Sequence, residues 1–472
     1  MPHGARILAL EVYNTLTKDK EEFRSIEPKK VKMYVCGVTV YNDIHMGHAR
    51  SIIVFDMIAR YLRYKGYQVM HVTNFTDVDD KIINRANEMG MDPLALSRMY
   101  IEHYFEDIER LGVKKADMYP KASESIPAII DLVKRIIDAG YGYTTPDGSV
   151  YFSVEMFKDY GKLSGNKLDE MLAGARIEVD EIKRNPMDFC LWKAAKPGEV
   201  SWPSPWGEGR PGWHIECSAM VMEHMGETLD IHGGGNDLIF PHHENEVLQS
   251  ESVTHKPLAN YWLHNGMLQV SGEKMSKSLS NFFTVRDVME IFSTSEVRFY
   301  FLNTHYRGPL SYSEDALNEA ASSLRRLQHT YTELKEYLET ASGNYDGDEL
   351  VRKTRAEFGE YMDDDFNTRG AISVMFEMAR EANKLMQHEM LSKKGAKCFM
   401  TLFEEFDQVL GILPTMEHNP DQLDDVMEVV IAVRTELRKR KLYDLADKIR
   451  DDLKEKGIIL EDSAEGVKWR QE

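Results

Sequence analysis

The stretch from Tyr34 to Arg50, YVCGVTVYNDIHMGHAR, constrains this chain more than any other. It sets a thiol, a tight glycine and two closely spaced imidazoles directly after an apolar run. Val31 to Tyr41 is rich in valine and tyrosine, which suits a buried strand. From Ala49 onward Ile52, Phe55, Ala59 and Leu62 recur at helical spacing, Arg60, Arg63 and Lys65 fall toward the other face, and Gly66 supplies a stop. His45, Gly47 and His48 therefore belong to a strand-to-helix junction. Free backbone N–H groups and the positive end of the helix dipole favour an anion such as phosphate there. Both histidines can face that guest, and Gly47 lets a base or phosphate approach the backbone with no Cβ in the way. The same residues also read as polar groups of a solvated loop, and HxGH by itself does not separate the two.

A second signature does. Lys274 to Ser278 reads KMSKS, about 230 positions further on, in a segment opened by Ser271-Gly272. Two lysines on such a segment can close over a triphosphate and offset the charge growing on its leaving group. Together the two stretches resemble the signatures of the class I aminoacyl-tRNA synthetases. The first stands here as His45-Met46-Gly47-His48, with Met46 for the usual isoleucine, an apolar exchange of similar size.

Further chemistry lies at PGWHIECSAM, where Cys217 opens an expected helix, and 25 residues later at Pro241-His242-His243-Glu244-Asn245-Glu246. His242 and Glu246, four apart, share one helical face. With Cys36 and Cys217 they offer two thiolates, an imidazole and a carboxylate, an acceptable set for zinc. No CxxC pair announces the site. On spacing alone Cys36 is equally a buried apolar residue of its strand, and His243 or Glu244 is almost as well placed as its neighbour. Between these residues, Ile231 to Asp237 reads IHGGGND. Its glycines, Gly234 among them, allow close approach of a nucleoside, and Asp237 can accept a hydrogen bond from a sugar hydroxyl. By itself that turn reads as an ordinary loop. The cluster Asp77, Asp79 and Asp80 reads equally as a helix cap or as part of a site in which Thr76 holds the ammonium or carboxylate of a small substrate.

Cys36 beside the first signature, then RNPMDF, GRPGWHIECS, DIHGGGND, FPHHENE, NFFTVRDV and the terminal GVKWR, make the chain similar to the cysteinyl-tRNA synthetase family from about Tyr34 through the tail. The resemblance implies ATP-dependent ligation of L-cysteine to tRNA-Cys through a cysteinyl-adenylate. It implies one zinc ion on Cys36, Cys217, His242 and Glu246, with Mg²⁺ entering with ATP. It places Cys36, Gly37, Thr39, Thr76 and Trp213 around the amino acid and His45, Gly47, His48, Gly234, Asp237 and Lys277 around ATP, with His45, His48, Lys274 and Lys277 acting on the phosphates. Zinc suits the substrate. Shape alone separates cysteine from serine or alanine by only about 10- to 200-fold, whereas a soft thiolate binds the metal and a hydroxyl does not. No editing site is expected.

The expected fold is α/β: a Rossmann-like, doubly wound parallel sheet split by an insertion, then a helical bundle and a small C-terminal domain. The first half of the catalytic domain is read as 1–139, with helices over 82–139, and its second half as 213–265. Tyr141 to Val154 holds two β-like runs around Pro146-Asp147-Gly148 and predicts a hairpin. From there to Trp213 the chain reads as irregular, so 140–212 is taken as a connective insertion. Residues 266–314 carry KMSKS. Leu317, Leu324, Leu327, Tyr331, Leu334 and Leu338 predict a long helix opening a stem-contact bundle over 315–415. The tail, 416–472, concentrates Arg434, Arg438, Lys439, Arg440 and Lys441, with Trp469 as a stacking face, and is expected to read the anticodon.

Composition enters as a check. A chain of 472 residues, 42% hydrophobic, can build three or four domains. Its net charge of −20 argues against a nucleic-acid partner only on average, because a local basic stripe suffices. Four scattered cysteines show no disulfide framework and fit a reducing cytosol. The first residues do not read as a signal peptide, and no apolar run approaches the roughly 18 residues that span a bilayer. A cytoplasmic monomer is expected. Three other readings are disfavoured: a small-molecule cysteine ligase of the mycothiol pathway by the long basic tail, a nucleotidylyltransferase by KMSKS and the insertion, and a non-enzymatic tRNA-binding or zinc-stabilised protein by the intact His45, His48 and Lys277.

Overall fold

A short hairpin, β1 (Glu11–Asn14) with β2 (Asp19–Glu22), precedes the first long strand, β3 (Lys30–Thr39). Val31, Met33 and Tyr34 of β3 are buried, as expected of a strand covered on both faces. Helix α1 (Met46–Tyr64) begins three residues before its apolar spacing becomes visible at Ala49, because His45 serves as its N-cap. Residues 53–59 of α1 are buried all round the helix, Ile53, Phe55, Met57 and Ile58 among them, and Gly66, at φ +82°, ends the turn that follows. Next come β4 (Gln68–Thr76), α2 (Asp80–Met89), α3 (Pro93–Arg110) and α4 (Ile126–Asp138). Asp79 caps α2 by accepting from the Lys81 N–H, so the cap reading of the acidic cluster holds for that residue. Residues 82–139 are not all helical: Met118 and Lys121 bridge the outer edge of β4 in parallel.

The insertion is more regular than its Pro-, Gly- and Trp-rich sequence suggests. The expected hairpin, β5 (Gly142–Thr144) with β6 (Val150–Phe152), is extended by β7 (Phe189–Ala194) and β8 (Gly209–Pro211) into a four-stranded antiparallel sheet. The irregular reading misses β7 because Leu191 and Trp192, adjacent in sequence, are both fully buried and break the alternation.

The chain then returns to the main sheet through α5 (Trp213–His224), β9 (Leu229–Gly235), α6 (Glu244–Thr254) and β10 (Ala259–Asn265). The strands run in the order β10-β9-β3-β4, all parallel. From β3 the chain winds outward past β4, then comes back to place β9 on the opposite side. The order reverses between β3 and β9, and such a switch point opens a crevice at the carboxyl ends of the two strands. Here those ends are Cys36 to Thr39 and Gly233 to Gly235.

Beyond the sheet, β11 (Leu268–Val270), β12 (Glu273–Lys274), α7 (Val285–Met289), α8 (Thr294–Leu302) and β13 (Leu310–Tyr312) follow, with β11 between β12 and β13. The long helix, α9 (Glu314–Thr340), buries Leu317, Leu324, Leu327 and Leu334 and is joined by α10 (Asp348–Asp363), α11 (Thr368–Gln387) and α12 (Lys393–Leu410). These helices share one core with β3 and α1. The computed structural model describes residues 9–166, 182–270, 273–274, 282–413, 420–455, 458–463 and 466–471, in two compact units, Met1–Leu413 and Pro414–Glu472. No described helix is long and apolar enough to cross a membrane.

The second unit contains α13 (Pro420–Lys439), α14 (Tyr443–Glu455) and the antiparallel pair β14 (Ile458–Ser463) and β15 (Gly466–Gln471). Arg434, expected in a phosphate-tracking stripe, is instead buried and donates to the Ala446 carbonyl, tying α13 to α14. The expectation counted charges along the sequence, and helical periodicity turns this one inward.

Candidate active site and metal centre

Four donor atoms meet beside the crevice, from β3, α5, α6 and the turn Ile239–His243, which carries His242 just before α6. Cys36 comes from the end of β3 and Cys217 from the first turns of α5, and their Sγ atoms lie 3.6 Å apart. Glu246, in the first turn of α6, places Oε1 3.2 Å from the Cys36 sulfur and 3.1 Å from His242 Nε2. All four groups lie within 4.8 Å of one another, and Cys217, His242 and Glu246 are almost wholly buried. Ligands on a tetrahedral zinc, at roughly 2.3 Å for sulfur and 2.0–2.2 Å for nitrogen or oxygen, stand about 3.4 to 3.8 Å apart. The separations of 3.6, 3.2 and 3.1 Å come within a few tenths of an ångström of that spacing, and the donor set suits a borderline-soft cation.

A second combination, Cys36 with His232, His243 and Glu246, is equally compact. It carries one thiol instead of two, and His232 Nε2 already bonds the other Glu246 oxygen at 2.8 Å. His232 thus orients the carboxylate from behind, an outer-layer role typical of metal sites. Behind it, His243 Nδ1 lies 2.7 Å from His264 Nε2, and His264 Nδ1 lies 2.8 Å from the Thr15 hydroxyl. The ring of Trp262 stacks on His232 at 4.4 Å.

The charges hold one another. Burial works to raise the Glu246 carboxyl, but His232 and His242 outweigh it and keep the group well below its ordinary range. A hydrogen bond from Cys36 is the largest influence on the Cys217 thiol, which falls to about 6, while burial pushes Cys36 well up. Thiol protons in such a cluster are the ones a divalent cation displaces.

On the nucleotide side a cavity of 370 Å³ is lined by Cys36, Gly37, Thr39, His45, Gly47, His48, Trp213, Gly235 and Asp237, among others. It brings Cys36 of the four-donor cluster and the HMGH histidines into one space. The rings of His45 and His48 stack 3.7 Å apart, and each accepts the other's backbone N–H in a reciprocal cap. Gly47 makes that stack feasible, since a Cβ there would lie 2.8 Å from the His45 ring. At Gly37 a Cβ would fall 1.8 Å from the Asn74 carbonyl oxygen, while the Gly37 N–H donates to Asn74 Oδ1 at 2.9 Å.

Thr76 and Gly234 are not among the described residues lining this cavity. The Thr76 hydroxyl donates to Glu216 Oε2 at 2.9 Å, both groups being buried, and burial raises Glu216 well above the ordinary carboxyl range. Gly234 packs against His243 and Leu238, leaving Gly235 to face the crevice. Lys274, in β12, pairs through its backbone with Gln269 of β11, whereas its side chain and all of Lys277 lie outside the described residues. Sequence reasoning missed His232, Glu216, Asn74 and the wall formed by Asn265 to Leu268. The only signal for His232 was its place inside DIHGGGND, where the glycines drew the attention.

Comparison with known proteins agrees with this geometry. Residues 22–322 match the tRNA synthetases class I (C) catalytic domain and residues 357–414 the DALR domain. The Cysteine--tRNA ligase of Carboxydothermus hydrogenoformans is 52% identical over 465 residues, covering 98% of this chain and 100% of that protein. That of Anoxybacillus flavithermus is 50% identical over 468 residues, covering 98% and 100%. Among solved structures, Mycobacterium tuberculosis methionyl-tRNA synthetase bound by methionyl-adenylate superposes with a TM-score of 0.62 at 15% identity, over 81% of this chain and 92% of that one. The LeuRS of Agrobacterium radiobacter K84, in a ternary complex with tRNA, gives 0.60 at 12%, over 83% and 85%. At those identities the two structures speak for the fold alone, but the near-complete match to relatives at half identity places the chain among the class I aminoacyl-tRNA synthetases, in their cysteine--tRNA ligase family.

Proposed function

We propose that this chain joins L-cysteine to tRNA-Cys in two steps at one site. A cysteine carboxylate oxygen attacks the α-phosphorus of ATP and pyrophosphate leaves; a terminal ribose hydroxyl of the tRNA then attacks the acyl carbon and AMP leaves. The observation that carries the reading is the shared cavity, in which Cys36 of a four-donor cluster and the stacked His45 and His48 face the same space.

Cys36, Cys217, His242 and Glu246 would hold zinc. When bound there, zinc supplies a soft cation for the substrate thiolate that a serine hydroxyl cannot match. The remaining work belongs to the chain. His45 and His48 face the phosphates at the start of α1, Lys274 and Lys277 offset charge on the β- and γ-phosphates, and Mg²⁺ enters with ATP. Asp237 accepts from the ribose, while Gly37, Thr39 and Trp213 enclose the amino acid. Thr76, tied to Glu216, supports that pocket from outside the cavity. Positioning and charge neutralisation suffice, and no side chain acts as a nucleophile. Because the thiol itself is recognised, no editing site is needed. The helices of 315–415 are assigned to the tRNA stem and the second unit to the anticodon, in a cytoplasmic monomer.

Cysteine-dependent exchange of labelled pyrophosphate into ATP tests the reading, with serine as control and tRNA charging as a second readout. Exchange with cysteine alone, plus charging, supports it. Exchange without charging would make the chain a small-molecule ligase, and equal exchange with serine would remove the zinc–thiolate argument.

A further inference from the structure

The residues that immediately follow the KMSKS region are stitched to the HMGH motif. Thr284 forms an antiparallel bridge with His45; the Met46 N–H donates to the Phe283 carbonyl at 3.0 Å, and the Val285 N–H to the Ile44 carbonyl at 3.0 Å. The ring of Phe282 stands edge-on to His45, 5.3 Å between centroids and 84° between planes. His45 is thus held on one side by its stack with His48 and on the other by Phe282 to Val285.

That clamp has an anchor. Arg286, one residue further on in α7, reaches across to α3 and to the loop just before His45. Its guanidinium lies 2.6 Å from Glu106, 2.9 Å from Asp107 and 3.8 Å from Asp43, and it donates to the His103 carbonyl at 3.4 Å. Asp43, two residues before His45, is bonded in turn by His103 Nδ1 at 2.7 Å. Asp107 is fully buried, and burial pushes its carboxyl up to about 6 against the opposing pull of Arg286. Arg286 is the largest of the charges that compensate a carboxylate placed there, ahead of Arg110 and His103. No catalytic role asks for four acceptors on one arginine beside a phosphate site, so a mechanical one fits: a planar fork can bridge α7, α3 and the HMGH loop at once, which an ammonium cannot.

We propose that Arg286 is a positioning residue for adenylate formation, acting through Phe282 to Val285 to fix the His45 imidazole. The inference rests on the reading that His45 faces the ATP phosphates. Arg286 is not among the described residues lining the cavity, and its effect passes through His45.

A double-mutant cycle on the full-length, zinc-loaded enzyme tests this, reading the rate of cysteine-dependent pyrophosphate exchange, KM for ATP, cysteine binding and zinc content. Arg286→Met is expected to slow exchange at least tenfold with zinc content and cysteine binding unchanged, and Arg286→Lys to recover only part of the loss. In a His45→Ala background, Arg286→Met should slow exchange by less than a further twofold. Multiplicative losses in the double variant would overturn the inference while leaving the function intact. A His45→Ala variant with undiminished exchange would instead overturn the reading of His45 beneath it. Should Arg286→Met lose its far-UV circular dichroism, Arg286→Lys takes its place in the cycle, and the same two results decide between support and rejection.

Discussion

Cys36 and Cys217 stand 181 residues apart in the chain and 3.6 Å apart at their sulfur atoms, one at the end of a strand and the other near the start of a helix. Both cysteines are free. Two thiols at that spacing, with an imidazole and a carboxylate beside them, serve a cation better than they serve packing.

Replacing Cys217 by serine is therefore expected to leave the fold intact, since the side chains are nearly isosteric, but to strip the metal. Zinc content of the purified variant should fall below one per chain, and cysteine-dependent exchange should be lost, while the far-UV circular dichroism stays that of the parent and the melting temperature falls by no more than chelation lowers it in the parent. Full zinc occupancy in Cys217→Ser would remove this pair from the metal site.

His232 tests the outer layer. It bonds the Glu246 oxygen that does not face the thiols, so His232→Gln keeps the ligands and loosens one of them. Metal affinity should drop about 10- to 100-fold, the range such partners command. A chelator competition titration reads it directly, and unchanged affinity would return His232 to the status of a buried packing residue.

Gly37→Ala is a steric test of the crevice. With Asn74 O only 1.8 Å from the new Cβ, β3 and β4 must part locally, at about 1–3 kcal/mol as other overpacked sites show. Urea unfolding should report that loss, together with a larger fall in activity, because Gly37 lies beside Cys36. A variant as stable and active as the parent would mean that the strands yield without strain.

pH offers a fourth test, at His71. Burial holds its imidazole down at about 4, so the native state refuses a proton that the unfolded chain accepts near its ordinary value. The sign follows: the stabilisation is complete above about pH 6.5 and is lost as pH falls toward 4. Between pH 7 and pH 5 the parent should lose about 2 kcal/mol more than His71→Gln in urea titrations. Parallel pH profiles for the two proteins would exclude His71 as the source.

How much of this was legible in the chain divides along a physical line. HMGH, the helix of α1, the β5–β6 hairpin, the α9 periodicity and the Asp79 cap each depend on backbone and side-chain requirements within a few consecutive residues. The order of residue types determined them, and a family resemblance then supplied the ligands that spacing left open between His242 and His243. What no local pattern carries is convergence. The meeting of Cys36, Cys217 and Glu246, the turn of His232 behind the carboxylate, the bond of Thr76 to Glu216 and the clamp on His45 follow from β9 returning beside β3 and from α7 lying against α3. Those placements come from long-range pairing of strands and packing of helices, for which periodicity sets the faces but not the neighbours. Arg434 marks the same limit from the other side, since its charge was visible in sequence and its burial only in the fold.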